Sequence, residues 1–186
     1  MAKLRSKGKI VLAIATSRIV ALLLSGGRIA HSRFQIPLDI TTESTCDIKN
    51  GTQLEKLFTQ TTLIIWDEAP MANRYCFEAF DRALKDILSE KDQSNADRIF
   101  GGLIVALRGD FRQILPVIPK GKKHDVIQAY LSSSSLWKHV TVLTLTENMR
   151  LKTNLVNPTE LDNLKAFNEW LLSIGEGRDI AEDENK

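Results

Sequence analysis

Cysteine is scarce in this sequence of 186 residues. The two cysteines, Cys46 and Cys76, lie far apart and do not follow the spacing of a metal site. This scarcity argues against a disulfide framework, and we interpret both residues as free thiols in a reducing compartment. With 43% hydrophobic residues, the chain can bury a sizeable core without cross-links, and its length is that of about one domain.

Long apolar runs, a signal peptide and a strong charge of either sign are also missing. No run approaches the roughly 20 apolar residues that a membrane span needs. No apolar stretch with a small-residue cleavage site follows the N-terminus. We therefore expect a soluble intracellular protein without membrane contact. The formal net charge is only +2, and we interpret the basic start, residues 3–9, as a solvated end in preference to a phosphate-binding segment.

Four short runs of strand-type residues divide the chain. They are Ile10–Ile14, Leu63–Trp66, Leu103–Leu107 and Thr141–Leu145. The first three are continuously apolar, which is typical of strands buried on both faces of a parallel sheet. The fourth mixes threonine with apolar residues, so we place it nearer an edge.

Helical periodicity fills the intervals between these runs. The predicted helices are Arg18–Leu24, Asn73–Lys91, Asp125–Leu131 and Thr159–Ile174, and loops are expected at Pro37–Gln53 and Asp92–Gly102. Strands that alternate with helices predict an α/β fold, a parallel sheet with flanking helices.

Three of the predicted strands end in residues suited to handling phosphate. Asp67 and Glu68 follow one strand, Gln113 lies shortly after the next, and Arg150 follows the last. One carboxylate can hold Mg²⁺ beside phosphate oxygens while another orients a water. A guanidinium suits the charge on a transferred phosphoryl group. Because the carboxyl ends of parallel strands lie at one edge, this pattern indicates a nucleotide-hydrolysing site.

Each of these residues also has a plain structural interpretation. An aspartate after a strand is often a turn former or a helix cap. Gln113 can be an ordinary loop residue next to an Arg112–Asp110 pair, and Arg150 can belong to a surface ion pair. Only their occurrence together favours the functional interpretation.

Four stretches of the sequence are similar to the petite-integration-frequency (PIF) family of ATP-dependent DNA helicases. They are IIWDEAPM, RGDFRQILPVIP, LTENMR and KIVLAIATSRIVALLLSGGRIAHSRFQIPL. The sequence resembles most the plant-type members and the helicase region of rolling-circle transposons, from about Lys7 to Gly177. The resemblance implies a RecA-like P-loop NTPase fold that uses ATP and Mg²⁺ and acts on single-stranded DNA.

The resemblance also implies a role for each matching residue. Asp67 corresponds to the ligand of Mg²⁺, and Glu68 to the carboxylate that positions and activates the attacking water. Gln113 corresponds to the residue that senses the terminal phosphate, and Arg150 to the arginine finger.

A second set of matching positions implies contacts to DNA. Thr16 and Ser17 correspond to a motif that contacts single-stranded DNA, and His31 to a position near the DNA groove. Such binding relies on backbone contacts and stacking without reading sequence. A satisfied structural histidine is the equal alternative for His31.

The sequence departs from the family in several places. The phosphate-cradling loop, Gly-x-x-x-x-Gly-Lys-Thr/Ser, does not occur in it. Arg18, Ile29 and Arg108 stand where the family usually has glycine, threonine and glycine. A second motor domain has no counterpart either. We therefore expect residues 1–178 to form a partial first RecA-like domain that lacks the phosphate-loop strand, with an acidic tail at 179–186. The incomplete sheet should have an exposed gap or edge and, with it, marginal stability or association.

Three functions are compatible with this pattern. The first is an ATP-dependent 5′-to-3′ DNA helicase of repair, recombination and telomere maintenance, located in the nucleus or, alternatively, the mitochondrion. The second is a non-enzymatic helicase remnant that binds single-stranded DNA weakly. The third, a Mg²⁺-dependent phosphohydrolase built on Asp67 and Glu68, is disfavoured because no nucleophile stands beside a base.

Overall fold

The computed structural model describes residues 1–149 and 158–178. The chain divides into two compact units, Met1–Val140 and Thr141–Lys186. The first unit contains all the described strands and most of the helices. Its α-helices are α1 (Ala2–Arg5), α2 (Arg18–Leu23), α3 (Ala30–Phe34), α4 (Gln53–Gln60), α5 (Arg74–Ser89) and α6 (Lys123–Gln128). Its strands are β1 (Ile10–Ala15), β2 (Arg28–Ile29), β3 (Thr61–Asp67) and β4 (Ile104–Leu107).

The four strands form one parallel sheet in the order β2-β1-β3-β4. In its register Ile14 is paired with Trp66, and Trp66 is paired in turn with Leu107. The carboxyl ends of β1, β3 and β4 therefore lie side by side. The predicted α/β fold is confirmed, and the first three predicted strands are present.

Two strand predictions are wrong. Thr141–Leu145 forms no strand, and Leu143 and Leu145 are exposed. Residues with a β preference form a strand only where another strand offers them a ladder, and no described strand pairs with this segment. The third predicted strand was expected to be buried on both faces, yet Ile104 is 65% exposed. Strand β4 has β3 as its one neighbour among the described strands, and alternate residues of β4 face outwards.

An aromatic cluster between the sheet and α5 forms the core. Phe34 and Phe80 stack with ring centroids 3.9 Å apart, and Trp66 of β3 contacts Phe77 at 4.4 Å. All four side chains are fully buried. This packing follows from the predicted periodicity of α5, which aligns its apolar residues on the face towards the sheet. Because Trp66 anchors the end of β3 in this cluster, the next residues are held in position.

Several elements are absent from the sequence predictions. The short helices α1 and α3 and the two-residue strand β2 have too few periodic residues to give a signal. Helix α4 has a signal, because Leu54, Leu57 and Phe58 follow a three-and-four spacing, but it is missing from the predicted helices. Within residues 1–149 and 158–178 there are also five 3₁₀ helices that the sequence does not predict. They are Ala69–Met71, Gln93–Asp97, Ile99–Gly102, Leu131–Ser133 and Ser135–His139.

In the second unit, helix α7 (Pro158–Gly175) matches the predicted helix and ends at the glycine expected to stop it. Its apolar side chains Leu164, Phe167 and Leu171 are all exposed. None of the helices in the described parts of the chain combines the length and apolar character that a membrane crossing requires.

Candidate functional site

The end of β3 holds the two predicted carboxylates in different surroundings. Asp67 is buried, with 5% of its surface exposed. Glu68 leaves the strand in the left-handed region at φ 52°, which is uncommon for a residue other than glycine. Because the strand ends between Asp67 and Glu68, their side chains do not follow the alternation that places neighbouring residues of a strand on opposite faces. The 3₁₀ helix Ala69–Met71 follows at once.

Both oxygens of the Asp67 carboxylate already have hydrogen-bond donors. The Glu68 backbone N–H donates to Oδ1 at 3.0 Å. The Arg108 guanidinium donates from Nη1 to Oδ2 at 3.1 Å. The carboxylate is therefore a buried charge with a partner, whereas 70% of the Arg108 side chain is exposed.

Backbone hydrogen bonds fasten the loop after β4 to the end of β3. The N–H of Arg108 donates to the Trp66 carbonyl, and the N–H of Ala69 donates to the Arg108 carbonyl, both at 2.9 Å. Gly109 follows, and a Cβ there would lie 2.2 Å from Pro70 Cδ. Only a glycine lets the two loops come this close.

The predicted residues after β1 reach the same edge. The Thr16 N–H donates to the Asp67 carbonyl at 3.1 Å, and Trp66 Nε1–H donates to Thr16 Oγ1 at 3.0 Å. Ser17 caps α2, because its Oγ accepts the N–H of Val20 at 3.1 Å. Thr16 therefore joins the candidate site directly, while Ser17 also shapes the local backbone.

His31 lies within α3 and is half-buried. Its Nε2 is 3.9 Å from the Sγ of Cys76, a buried residue of α5. Burial lowers the pKa of His31, so the imidazole is neutral at pH 7. This contact agrees with the structural interpretation of the residue.

Gln113 is exposed in the loop after β4, where its N–H donates to the Asp110 carbonyl at 3.1 Å. Arg112 Nε pairs with Asp110 Oδ1 at 3.1 Å, as the plain interpretation expects. The Arg112 backbone N–H lowers the pKa of Asp110, and the charge of Arg112 adds to this effect. Arg150 lies outside the described residues. The structure therefore brings Thr16, Asp67 and Glu68 together at one edge and places Gln113 on a loop that begins at that edge.

Sequence reasoning missed the partner of Asp67. In the sequence, Arg108 stands out as a replacement for the glycine that is usual in the family, and no role is assigned to it. A signal was present, because Arg108 follows β4 directly as Asp67 ends the neighbouring strand. The register that places these two residues side by side, however, depends on how the strands pair, and that is a tertiary property.

The residues around Asp67 do not fit a metal ion as they are arranged. Mg²⁺ prefers oxygen ligands in near-octahedral geometry. Within residues 1–149 and 158–178, no group of three or more His, Cys, Asp or Glu side chains lies close enough to hold a metal. Asp67 supplies a carboxylate, but a guanidinium cation already binds its Oδ2. The role of metal ligand therefore requires Arg108 to move.

Comparison with solved structures finds similarity to Pif1 helicases. A crystal structure of Pif1 helicase from Bacteroides with ADP-AlF3 and ssDNA is 26% identical, with a TM-score of 0.58 over 70% of this chain and 30% of that chain. A structure of two coordinating Pif1 helicases at forked dsDNA is 25% identical, with a TM-score of 0.60 over 88% and 43%. Pif1 helicase from Candida albicans is 26% identical, with a TM-score of 0.56 over 74% and 29%.

The chain therefore spans less than half the length of these solved helicases. No curated protein matches the sequence. The family model described as PIF1-like helicase matches residues 1–185. With almost the whole sequence matched and the four-stranded parallel sheet shared, this chain belongs to the PIF1-like helicase family.

Proposed function

We propose that this chain is the first-motor-domain portion of an ATP-dependent DNA helicase that moves 5′ to 3′. One observation carries the proposal. Backbone hydrogen bonds join the ends of β1, β3 and β4 into a single rim: the Thr16 N–H donates to the Asp67 carbonyl, and the Arg108 N–H donates to the Trp66 carbonyl. Ligands of open α/β sheets bind at this end of the strands, and the rim is where a helicase of this family would hold ATP.

Glu68 is the best candidate for the base that activates water. Within the described parts of the chain, its carboxylate has no hydrogen bond or ion pair, while its backbone is held by Asp67 Oδ1 and by the N–H of Met71. A fixed backbone with an unengaged carboxylate can orient a water and accept its proton. By analogy with the family, Gln113 and Arg150 would contact the terminal phosphate of ATP. Asp67 would hold Mg²⁺ once Arg108 is displaced.

Single-stranded DNA is the proposed partner, as it is for the Bacteroides Pif1 in its ADP-AlF3 complex. Thr16 and Ser17 lie at the start of α2, beside a cavity of about 190 Å³. Arg18, Arg28 and Ser32 line this cavity and offer two guanidinium groups and a hydroxyl to phosphate oxygens. His31 contacts the core, so we expect its contribution to DNA binding to be the smallest of the predicted set.

A chimera tests the proposed function. In it, residues 1–149 replace the corresponding segment of the Bacteroides Pif1, so that the phosphate loop and the second motor domain are supplied. We expect this chimera to unwind a fork with a 5′ tail and to leave a 3′ tail untouched, and Glu68→Gln to abolish unwinding with DNA binding retained. The control is Asp86→Asn, at an exposed position of α5. A folded chimera whose unwinding survives Glu68→Gln would contradict the assignment of the base.

A second candidate function is favoured by the Asp67–Arg108 pair, which occupies the carboxylate that a metal ion would need. In this alternative the 186-residue chain binds single-stranded DNA and does not turn over ATP. Anisotropy of a labelled oligo-dT, with ATP hydrolysis measured in the same samples, separates the two. We expect weak, salt-sensitive binding and little or no hydrolysis by the isolated chain.

Roles in repair, recombination and telomere maintenance, with a nuclear or alternatively a mitochondrial location, follow from the family analogy.

A further inference from the structure

We propose that Arg108 is a tethered counter-ion that occupies the place of a divalent metal at Asp67, so that a metal binds there only when Arg108 leaves. The inference rests on the proposed function, because the family analogy is what assigns a metal to Asp67. It concerns a residue that the analogy does not assign, since Arg108 stands where the family usually has glycine.

The geometry explains why the pair forms. Asp67 is buried, and a buried carboxylate is costly unless a cation or donors satisfy it. Oδ1 is satisfied locally by the Glu68 N–H at 3.0 Å, so Oδ2 is the oxygen that needs a cation. The Arg108 guanidinium meets it at 3.1 Å. The charge requirement of Asp67 is thereby fulfilled without a metal.

The backbone of Arg108 is fixed, although its side chain is free to move. Its backbone donates to Trp66 and accepts from Ala69 at 2.9 Å each, so its Cα is fixed beside the end of β3. Its side chain, by contrast, is 70% exposed and can rotate into solvent. Because the backbone is fixed and the guanidinium can move, Arg108 is suited to release Asp67 when a stronger anion, such as a triphosphate, attracts the guanidinium.

The neighbouring loop provides a matched control. Arg112 forms an ion pair of the same length, 3.1 Å, with Asp110 in the same loop, but that carboxylate is not at the end of β3. Arg112→Gly changes the net charge and the composition of the loop by the same amount as Arg108→Gly. Only removal of Arg108 frees the oxygen of Asp67.

Paramagnetic broadening by Mn²⁺ in the full ¹⁵N-labelled chain tests the inference without any assay of activity. We follow the amide signal of Glu68, whose N–H donates to the Asp67 carboxylate, and those of Thr16 and Ala69, whose N–H groups donate to the backbone carbonyls of Asp67 and Arg108. Because a hydrogen bond between charged groups changes a competing equilibrium by about tenfold, Arg108→Gly should produce the same broadening at about one tenth of the wild-type Mn²⁺ concentration. Arg112→Gly should match the wild type, and Arg108→Lys should fall between.

Two further variants make the result decisive. Asp67→Asn in the Arg108→Gly background should remove the broadening. Arg108→Gln keeps a long side chain without the charge, and it replaces the glycine variant if that variant loses its dispersed spectrum. As an independent readout, Mn²⁺ should raise the melting temperature of the Arg108 variants more than that of the wild type.

Each contrary result has a distinct meaning. If Arg108→Gly and Arg108→Gln require the same Mn²⁺ as the wild type while Asp67→Asn abolishes broadening, the metal site stands and the competing role of Arg108 is refuted. If no variant shows broadening at these three amides, both the inference and the assignment of a metal to Asp67 are overturned. The unwinding test of the chimera is independent of either result.

Discussion

Substitution of Gly109 tests whether the two loops at the sheet edge are packed as tightly as the structure shows. The Cβ of Gly109→Ala would lie 2.2 Å from Pro70 Cδ and 2.8 Å from Pro70 Cγ, while the third nearest atom, Ala69 N, is 3.4 Å away. Real Cβ atoms essentially never come closer than 3.0 Å to such neighbours. The loops must therefore separate to admit the methyl group.

The cost follows from what that separation strains. Overpacking of one methyl group typically costs about 1–3 kcal/mol. The two hydrogen bonds that join Arg108 to Trp66 and Ala69 also lengthen, and a weakened hydrogen bond adds up to about 1 kcal/mol. We expect Gly109→Ala to lower the free energy of unfolding by about 2–3 kcal/mol and the melting temperature by about 5–10 °C.

A double-mutant cycle with Pro70→Ala isolates the contact. Pro70→Ala removes Cγ and Cδ, and the nearest atom to the added methyl group is then Ala69 N at an ordinary 3.4 Å. Urea unfolding of the four proteins should give a coupling energy of at least about 1 kcal/mol in favour of the double variant. Strictly additive effects, or a Gly109→Ala variant within about 0.5 kcal/mol of the wild type, would show that the loops do not touch in this way.

Two further predictions concern the core. Phe80→Ala removes the ring that stacks on Phe34 at 3.9 Å and should lower the free energy of unfolding in urea by about 3–5 kcal/mol. The control Phe167→Ala, at an exposed site, should lower it by less than about 1 kcal/mol. Equal losses would be inconsistent with the aromatic core. Burial raises the pKa of Cys46 to about 12 and of Cys76 to about 11, from 9.0, so both thiols should resist a thiol reagent at pH 8 until guanidinium unfolds the chain. The unfolded chain releases these protons first, so the free energy of unfolding should fall as pH rises from about 9 to above 11, and Cys76→Ala should reduce that slope.

The fold was largely predictable because its signals are local. A continuous apolar run such as Ile10–Ile14 indicates a strand buried on both faces, and the three-and-four spacing of Asn73–Lys91 indicates a helix with one buried face. The failures were the segments whose state depends on a partner. Thr141–Leu145 has strand-forming residues but no described strand beside it, and β4 is apolar on both faces but lies at the end of the described sheet.

The candidate site was predictable in part for the same reason. Asp67 and Glu68 were recognised because they follow a buried strand, and the sheet does bring Thr16 to the same edge. The sequence shows Arg108 in place of a usual glycine but does not pair it with Asp67, and it leaves two alternatives for His31, a structural contact and a contact with DNA. Both depend on which side chains the fold makes neighbours.

The order of apolar and polar residues along the chain was enough to determine the secondary structure of its strongest elements, the parallel arrangement of the strands and the edge at which the carboxylates gather. Those properties follow from short-range sterics and from the burial of one face or two. Only the tertiary structure decided that Asp67 is paired with Arg108, that Gly109 touches Pro70 and that β4 lies at the end of the described sheet. Such contacts join residues far apart in sequence, and their distances are set by strand register and by packing around Trp66.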